Sequence, residues 1–483
     1  MLTKIEFKKE ANLIGGLWVA ADSGKTIAVT DPATSAPIGT IPNSGKAETR
    51  RALEAANAAF PAWKKKTAAE RAVLLGKLAD LIRQNSEALA NLLTLEQGKP
   101  LAEARGEVGS SAAYVQWFAE EARRAYGDII PSPWGDRRIL VTKEPVGVVG
   151  AVTPWNFPSS MIARKLGAAL AAGCTIVIKP ADLTPYSGLA WGVLCEMAGI
   201  PAGVVNIITG DAPEIGTELT GNPLVRKITF TGSTPVGKLL ATQSAATMKR
   251  ISMELGGNAP FIVFDDADLD RAVAGAMMAK YRNAGQTCVC TNRFYVQAGV
   301  YDAFAEKLAA EVAKVKVGNG FENGVQIGPL IDARALAKVE SHLADAVSKG
   351  ASILAGGKRH ALGGTFFEPT VVTGVTQAMR VATEETFGPL SPLFRFETEE
   401  EVVGWANTTE YGLAAYFYSK DLARAFRVSE ALKYGMVGVN EGLITTEVAP
   451  FGGVKESGVG REGSHYGLDD YLDIKYISLG GLT

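Results

Sequence analysis

Cysteine and histidine are scarce in this chain of 483 residues, which has four of the former and three of the latter. Four cysteines in so long a chain do not form the disulfide framework of a small secreted protein, and a reducing cytosol fits their number best. His342, His360 and His465 show no ligand spacing, and neither Cys-x-x-Cys nor His-Glu-x-x-His occurs. The sequence therefore predicts no zinc site and no other metal centre.

An excess of charge of one sign and a long apolar run are missing as well. Lysine and arginine together number 49, and aspartate and glutamate number 51, so nothing suggests a nucleic-acid or anionic-membrane partner. The longest apolar run, residues 166–178, is too short to cross a bilayer. The first residues also lack the apolar region of a secretory signal. We therefore expect a cytoplasmic protein without a membrane span.

The length of the chain exceeds what one hydrophobic core serves and suggests two or three domains. A short β element is predicted around residues 13–19, and apolar residues spaced three and four apart then predict helices. These helices are predicted at residues 51–62, 69–84 and 87–97. Short β-rich runs alternate with helical stretches over about 146–230 and again over about 259–429. This alternation predicts βαβ units, and hence an α/β fold with two doubly wound, Rossmann-like domains.

Two alternating segments, residues 138–143 and 471–479, stand outside this pattern. Both predict strands, and strands near the ends of a chain often pair with another subunit because an unpaired edge is a liability. We therefore expect a homo-oligomer, either a dimer or a tetramer, with a small β element at its interface.

The usual dinucleotide fingerprint, Gly-x-Gly-x-x-Gly, does not occur. Residues 230–239 come near a phosphate loop, but Leu239 stands where an NTPase needs Ser or Thr for Mg²⁺. A strand, a glycine turn with Ser233 and then a helix still provide free N–H groups that suit a pyrophosphate. An ordinary turn between a strand and a helix gives the same pattern.

Lys179 and Asp182 lie at the end of another predicted strand. Ligands of open parallel sheets bind beyond the carboxyl ends of the strands, so both residues are placed for a ribose or a phosphate. Asp182 would accept hydrogen bonds from ribose hydroxyls and repel a 2′-phosphate, which favours NAD over NADP. An unremarkable pair of surface charges is the alternative.

Three further residues have the chemistry of a covalent redox mechanism. Asn156 lies in a stiff, proline-flanked loop and can donate a hydrogen bond to an oxyanion. Glu254 follows an apolar strand, so burial could raise its pKa toward that of a useful base. Cys288 lies in a loop of small residues and could act as a nucleophile, although an isolated cysteine is more often a small buried core residue.

Together these segments make the chain resemble the NAD(P)-dependent aldehyde dehydrogenase superfamily over essentially its whole length. The motifs that carry the resemblance, in order and with the spacing of the family, are residues 153–158, 230–237, 254–257, 285–288, 384–389 and 450–455. Within the superfamily the chain most resembles the succinate-semialdehyde dehydrogenase branch, through residues 261–270, 281–290 and 447–453.

The resemblance implies a role for each part of the site. Cys288 would attack the aldehyde, and the Asn156 side chain with the Cys288 backbone N–H would form the oxyanion hole. Hydride transfer would leave a thioester, and Glu254 would activate the water that hydrolyses it, with Lys165 and Glu462 as proton-relay partners. The residues implied to hold the dinucleotide, NAD or NADP, are Trp155, Lys179, Asp182, Thr231, Gly232, Ser233, Gly237, Leu255, Glu385 and Phe387.

The same resemblance implies the substrate, a small aldehyde with a distal carboxylate. Arg164 and Arg282 match positions that bind this carboxylate, for which a guanidinium is the suitable group, although a structural ion pair is the alternative for each. Thr445 keeps a hydroxyl where some relatives have Ser. Succinate semialdehyde is the expected substrate, and glutarate semialdehyde or another short ω-carboxy aldehyde is the alternative. A non-catalytic protein that retains the fold would be expected to lack Cys288, Glu254 or Asn156.

The resemblance also implies a division of the chain. Residues 1–125 and 146–255 would form the NAD(P)-binding domain, residues 256–460 the catalytic domain, and residues 126–145 with 461–483 the oligomerisation element.

Cys290 suggests a redox switch. Residues two apart in an extended segment point the same way, so Cys290 could form a strained and labile disulfide with Cys288 that stops the reaction under oxidation. A second small residue in a tight loop is the alternative.

Overall fold

Two helix-covered β-sheets make up most of the protein in the computed structural model, which describes residues 7–482. Numbered in chain order, the strands are β1 (Asn12–Ile14), β2 (Leu17–Val19), β3 (Thr26–Thr30), β4 (Pro37–Pro42), β5 (Asp128–Ile130), β6 (Arg138–Pro145), β7 (Val148–Val152), β8 (Thr175–Lys179), β9 (Val205–Ile207), β10 (Val225–Thr231), β11 (Arg250–Glu254), β12 (Ala259–Val263), β13 (Thr291–Gln297), β14 (Ser352–Ala355), β15 (Thr370–Val375), β16 (Leu390–Phe396), β17 (Ala414–Tyr418), β18 (Met436–Val439), β19 (Gly458–Val459) and β20 (Leu472–Leu479).

Helices connect most of these strands. They are α1 (Lys46–Lys65), α2 (Ala68–Gln84), α3 (Ser86–Gln97), α4 (Leu101–Glu121), α5 (Ser160–Ala172), α6 (Pro185–Ala198), α7 (Ala212–Gly221), α8 (Thr234–Ala245), α9 (Leu269–Tyr281), α10 (Tyr301–Val312), α11 (Ala333–Ser348), α12 (Glu399–Asn407), α13 (Leu422–Ala431) and α14 (Tyr466–Asp469).

The first sheet has the order β19-β11-β10-β7-β8-β9-β1-β2. Its five central strands, β11 to β9 in that order, pair in parallel, and the strands outside them pair antiparallel. The chain runs outward from β7 through β8 to β9 and then returns to the other side of β7 with β10. Because ligands of doubly wound sheets bind at such a switch point, the carboxyl ends of β7 and β10 are the expected place for a nucleotide.

The second sheet has the order β14-β15-β16-β13-β12-β17-β18, parallel from β15 to β18. It follows the first sheet directly, since β11 ends at Glu254 and β12 begins at Ala259. The short link between them brings the amino ends of β12 and β13 toward the carboxyl ends of β10 and β11. The predicted α/β fold with two doubly wound sheets is confirmed.

The local predictions agree with the elements. The three predicted N-terminal helices lie within α1, α2 and α3, and the β element near residue 13 is the β1–β2 hairpin. The apolar run 166–178 forms the second part of α5 and most of β8, all of it buried. In the second alternating stretch, helix α10 begins at Tyr301 and ends at Val312.

A third sheet, β20-β6-β5, contains the two alternating segments predicted to be strands. β6 and β20 pair with each other along their whole length, from Arg138 opposite Leu479 to Pro145 opposite Leu472. Each of these two strands therefore has one edge hydrogen-bonded to the other strand within the same chain. Their presence does not by itself require a second subunit, and an oligomer stays a prediction. Ile474 and Tyr476 are exposed on one face of this sheet, and Ile129, which the register places on the opposite face, is exposed as well.

The domain division with its boundaries also stays a prediction. Segments 126–145 and 461–482 both contribute strands to the third sheet. β19, which falls within the range given to the catalytic domain, pairs with β11 at the edge of the first sheet. Within residues 7–482, none of the helices has the length and the apolar sequence needed to span a membrane.

Gly98 ends α3 in the left-handed conformation, with φ 87°. Alanine in that conformation costs about 1–2 kcal/mol, and its Cβ would also lie 2.8 Å from Pro329 Cγ and 2.9 Å from Pro32 Cγ. We therefore expect Gly98→Ala to lower the midpoint of thermal unfolding by several degrees, since about 1 kcal/mol corresponds to 2–4 °C in a domain of this size. Differential scanning calorimetry at one scan rate measures the shift.

Gly350→Ala is the matched control, because Gly350 has φ 97° and a Cβ added there would meet no heavy atom within 4 Å. It should lower the midpoint less than Gly98→Ala. Equal shifts would show that the two prolines yield to the added methyl group.

Candidate active site

Two cavities meet at Cys288. The larger, of about 540 Å³, lies between the two sheets, and the smaller, of about 300 Å³, opens beside α4 and α5. Cys288 and Met161 line both cavities. A molecule in the larger cavity and a different molecule in the smaller one would therefore approach the same sulfur from two sides.

The larger cavity contains most of the residues predicted to hold a dinucleotide. Those that line it are Trp155, Thr231, Gly232, Ser233, Leu255, Glu385 and Phe387. The rings of Trp155 and Phe387 meet edge to face with centroids 5.6 Å apart. On the other side, Glu385 Oε1 accepts a hydrogen bond from the Gly257 backbone N–H at 3.0 Å. Burial raises the pKa of the Glu385 carboxyl to about 7.

The remaining three predicted cofactor residues do not line this cavity. Lys179 Nζ donates to Asp182 Oδ1 at 2.7 Å beyond the end of β8. Gly237 lies in the first turns of α8, where a side chain would collide with Leu255. The absence of a side chain at Gly237 therefore lets α8 pack closely on the link after β11.

The geometry of the larger cavity fits a dinucleotide. It lies at the switch point of the first sheet, and α8 begins at Thr234 beside it. Ser233, the N-cap residue, lines the cavity and makes no side-chain cap, so its hydroxyl does not occupy the N–H groups of the first turn. Arg334 and Lys338 of α11 add positive charge to the lining. These two cationic residues were not identified from the sequence, which gives no signal that α11 faces the first sheet.

The smaller cavity contains the predicted substrate residues Arg164, Arg282 and Thr445. Arg164 is buried between two aromatic rings, with its guanidinium carbon 4.6 Å from the Tyr114 centroid and 4.5 Å from the Phe451 centroid. Among the described residues, Arg164 Nε and the Thr445 hydroxyl have no hydrogen-bond partner. The cavity therefore presents unpaired donors to an anion.

Arg282 and α4 complete the smaller cavity. The Arg282 guanidinium lies over the Phe157 ring at 5.3 Å. Glu103, Gly106, Glu107 and Ser110 of α4 form the opposite wall. Their spacing of three, four and seven marks one helix face, and this periodic polar face is the sequence signal that could have placed α4 at the site.

Asn156 and Cys288 lie on loops that are hydrogen-bonded to each other. Asn156 Nδ2 donates to the Gln286 carbonyl oxygen at 3.0 Å, and its Oδ1 accepts from the Phe157 backbone N–H at 3.1 Å. Both Asn156 and Cys288 line the larger cavity. The amide nitrogen carries a second hydrogen that is available for an oxygen bound beside the sulfur.

Burial raises the pKa of the Cys288 thiol to about 12, because a thiolate is poorly solvated there. The positive charge of Arg164 acts in the opposite direction and lowers this pKa, whereas the negative charge of Glu254 raises it. In the ligand-free protein the sulfur is therefore protonated at neutral pH.

Glu254 ends β11 and is buried, with its Oε2 unpaired among the described residues. Burial, followed by the negative charge of Glu462, raises its pKa well above the ordinary value. Lys165 Nζ donates to the Thr231 hydroxyl at 2.6 Å and also to Glu462. Glu254, Lys165 and Glu462, the three residues predicted to transfer protons, therefore lie close enough to influence one another's charge.

The expected extended segment at Cys288 and Cys290 is wrong. Residues 287–290 form a turn in which the Cys290 N–H donates to the Thr287 carbonyl at 3.1 Å. Cys290 is fully buried, and its sulfur faces the carbonyl oxygens of Lys280 and Thr291 at 3.5 and 3.4 Å. The argument that the two side chains point the same way therefore fails, and the redox switch stays a prediction without that support. Cys174 and Cys195 are buried in the core around the first sheet.

Within the described part of the chain, no cluster of three or more His, Cys, Asp or Glu residues is arranged to hold a metal ion.

Comparison with known proteins gives the family. The family model described as "Aldehyde dehydrogenase family" matches residues 18–477. The chain is 64% identical to a 3-sulfolactaldehyde dehydrogenase of Pseudomonas putida, and the match covers 98% of both chains. It is 62% identical to a glutarate-semialdehyde dehydrogenase of Pseudomonas aeruginosa, over 99% of this chain and 98% of the relative. It is also 58% identical to the NADP-dependent succinate-semialdehyde dehydrogenase of Escherichia coli, over 98% of each.

Solved structures agree. The fold is similar to a crystal structure described as an E. coli NADP-dependent enzyme, with a TM-score of 0.99, 57% identity and coverage of 99% and 100% of the two chains. It is also similar to succinate-semialdehyde dehydrogenase from Burkholderia pseudomallei, with a TM-score of 0.98, 62% identity and coverage of 99% of both chains.

The raised pKa of Cys288 predicts how the thiol reacts in the ligand-free protein. Alkylation by iodoacetamide should accelerate about tenfold per pH unit between pH 7 and 10, since only the thiolate reacts. Arg164→Met should slow alkylation at a given pH, because the positive charge that lowers the thiol pKa is removed. Glu254→Gln should speed it at high pH, because a negative charge is removed.

Mass spectrometry of the peptide that contains Cys288 measures these rates, and the buried Cys174 in the same protein is the internal control. A rate that levels off below pH 8 would contradict the raised pKa.

Proposed function

Because the chain belongs to the aldehyde dehydrogenase family, we propose that it oxidises succinate semialdehyde to succinate with NAD or NADP as the hydride acceptor. The observation that carries the proposal is the meeting of the two cavities at Cys288, one fitting a dinucleotide and the other offering arginine donors to an anion. Glutarate semialdehyde is the alternative substrate. Two relatives, named for glutarate semialdehyde and for 3-sulfolactaldehyde, have 62% and 64% identity, so a distal anion is the feature that these substrates share.

The substrate is held by its distal carboxylate. Arg282 and Arg164, which both line the smaller cavity, bind this group, and the Thr445 hydroxyl adds a neutral donor. Arg164 Nη1 lies 3.7 Å from Glu462 Oε2, but Arg164 Nε has no hydrogen-bond partner among the described residues. Arg164 can therefore still donate a hydrogen bond to the substrate carboxylate. With the carboxylate fixed, the aldehyde carbon reaches Cys288.

Covalent bond formation then takes place at Cys288. Cys288 releases its proton to solvent water as the sulfur adds to the aldehyde carbon. The carbonyl oxygen then becomes an oxyanion that accepts hydrogen bonds from Asn156 Nδ2 and the Cys288 backbone N–H. When bound in the larger cavity, NAD or NADP supplies the acceptor for the hydride that leaves this carbon. The product on the protein is a thioester of Cys288, which hydrolyses readily.

Hydrolysis of the thioester requires a base, and Glu254 is the carboxylate that takes the proton of the attacking water. Glu254 then releases this proton to the solvent along Glu462 and Lys165, which are hydrogen-bonded to each other. Since burial raises the pKa of Glu254, the fraction of the carboxylate increases with pH. The hydrolytic step should therefore become faster as the pH rises.

The choice between NAD and NADP depends on Asp182. Its carboxylate favours NAD, but the ion pair with Lys179 at 2.7 Å offsets part of the repulsion of a 2′-phosphate. Two similar proteins are named for NADP. We therefore propose that both cofactors are used, with NAD preferred.

We further propose a homo-oligomer, a dimer or a tetramer, in which a second copy covers the exposed apolar face of the β20-β6-β5 sheet. Ile474 and Tyr476, on one face of that sheet, are 72% and 60% exposed, and a patch of this kind is typical of an interface. The cytoplasmic location and the division of labour between an NAD(P)-binding and a catalytic domain complete the proposal.

Glu254→Gln separates the two halves of the reaction. The first equivalent of NADH should form at close to the wild-type rate, because hydride transfer precedes the need for this base. Steady-state turnover should fall by about 10²–10⁴, the usual contribution of a general base. The rise of kcat with pH should also disappear. Stopped-flow absorbance at several pH values measures both phases, and loss of the burst as well would place Glu254 before hydride transfer.

Arg282→Met tests the substrate assignment. We expect kcat/KM for succinate semialdehyde to fall about 10- to 100-fold, which corresponds to one or two charge-assisted hydrogen bonds. The value for butanal, which has no distal charge, should change less than about twofold. Steady-state kinetics with succinate semialdehyde, glutarate semialdehyde and butanal measure the difference. If the wild-type protein has the same kcat/KM for butanal as for succinate semialdehyde, the proposal that the arginines bind a distal carboxylate is wrong.

A further inference from the structure

A buried lysine in the bend between α3 and α4 reaches the candidate active site. Lys99 follows Gly98 in this bend, and the exposed fraction of its side chain is 0%. Its Nζ donates to the Asn156 backbone carbonyl at 2.8 Å and to Glu107 Oε2 at 2.6 Å. The ammonium group also lies 3.8 Å from the centroid of the Phe157 ring. Lys99 is therefore hydrogen-bonded directly to the backbone of Asn156, which lines the larger cavity together with Cys288.

Glu107 ties the same lysine to α5. Its Oε2 accepts from Lys99, and its Oε1 accepts from the backbone N–H groups of Ser159 and Ser160 at 2.9 and 3.1 Å. A carboxylate at the beginning of a helix is favoured by the unpaired amides there. One buried ion pair thus fixes both the loop of Asn156 and the start of the helix that follows it.

A second pair of amides links this loop to the cysteine loop. Asn283 Nδ2 donates to the Asn156 carbonyl at 3.0 Å, so that this oxygen accepts two hydrogen bonds. Gln97 Nε2 donates to Asn283 Oδ1 at 3.0 Å, and Gln97 Oε1 accepts from the Lys99 backbone N–H at 3.0 Å. Asn283 has φ 52°, a conformation that non-glycine residues keep only when their surroundings hold it.

The bend is itself held by the second half of the chain. The Leu101 backbone N–H donates to the Gly320 carbonyl at 2.9 Å, and Gly98 packs between Pro32 and Pro329. The position of Lys99 is therefore fixed independently of Asn156, and Lys99 can in turn fix the loop that it contacts.

We propose that Lys99 is a positioning residue for the oxyanion hole, which rests on the proposed function of Asn156. Burying an ion pair costs desolvation free energy, and an apolar pair of similar volume stabilises a core at least as well. In this protein, the hydrogen bonds that the side chains of Lys99 and Glu107 make outside the ion pair go to the Asn156 carbonyl and to the backbone N–H groups at the start of α5. The ion pair holds the Asn156 carbonyl, and through it the distance between the Asn156 amide and Cys288.

Lys99→Met tests this role. Displacing a reacting group by about 1 Å can cost about 10²-fold in rate, so the rate of the first NADH burst should fall about 10- to 100-fold. KM for NAD should change less than about twofold, because Lys99 does not line the larger cavity. Asn156→Ala should by itself reduce the burst rate about 10²- to 10³-fold. Since Lys99 acts through Asn156, the Lys99→Met/Asn156→Ala double variant should be no slower than Asn156→Ala alone.

Lys249→Met is the matched control. Lys249 is also buried and also donates to two backbone carbonyls, those of Asn222 and Val225 at 2.8 and 3.0 Å, at the amino end of β11. Its loss should leave the burst rate within about twofold of the wild type. If Lys99→Met folds poorly, Lys99→Met/Glu107→Gln removes both charges and leaves an amide oxygen for Ser159 and Ser160, and the same slow burst is expected.

Losses that multiply in the double variant would overturn the proposal, because Lys99 would then act independently of Asn156. A normal burst rate in a folded Lys99→Met variant would overturn it too. A burst that persists in Cys288→Ala would instead refute the proposed function itself, so the two failures are distinguishable.

Discussion

The burial of a thiol and a carboxyl at one junction is the constraint on which the rest of the site depends. Cys288 and Glu254 both have raised pKa values because burial leaves their charged forms poorly solvated. The same poorly solvated surroundings strengthen hydrogen bonds and charge interactions at the reacting carbon. Arg164 and Lys165 supply positive charge within this region. Burial therefore makes ionisation of Glu254 unfavourable, and these two positive charges offset part of that cost.

The architecture creates that junction. Glu254 ends β11, and β12 begins the second sheet after only four intervening residues. The carboxyl ends of the first sheet therefore face the segments that precede the strands of the second. The loop after β7 brings Asn156, and the turn before β13 brings Cys288. Parts of the site that are 132 residues apart in sequence are adjacent because a doubly wound sheet collects its loops at one edge.

The sequence predicted the elements and the reactive groups better than their connections. Periodicity located the helices and strands, because burial of one helix face or a whole parallel strand leaves a pattern in the residues. Chemistry and family resemblance selected Cys288, Glu254 and Asn156, which the structure places together. The contacts of Lys99 could not be predicted, because a lysine after a helix-ending glycine has the same local pattern whether it is exposed or buried. The turn at Cys290 was missed for a similar reason, since its direction is set by packing.

The central claim is that Cys288 carries the acyl group between hydride transfer and hydrolysis. Glu254→Gln protein, mixed with cofactor and succinate semialdehyde and quenched in acid within the first turnover, tests this by mass spectrometry of its peptides. The account predicts one acyl group per chain, attached to the peptide that contains Cys288. An unmodified Cys288 peptide after a full equivalent of NADH has formed would contradict it.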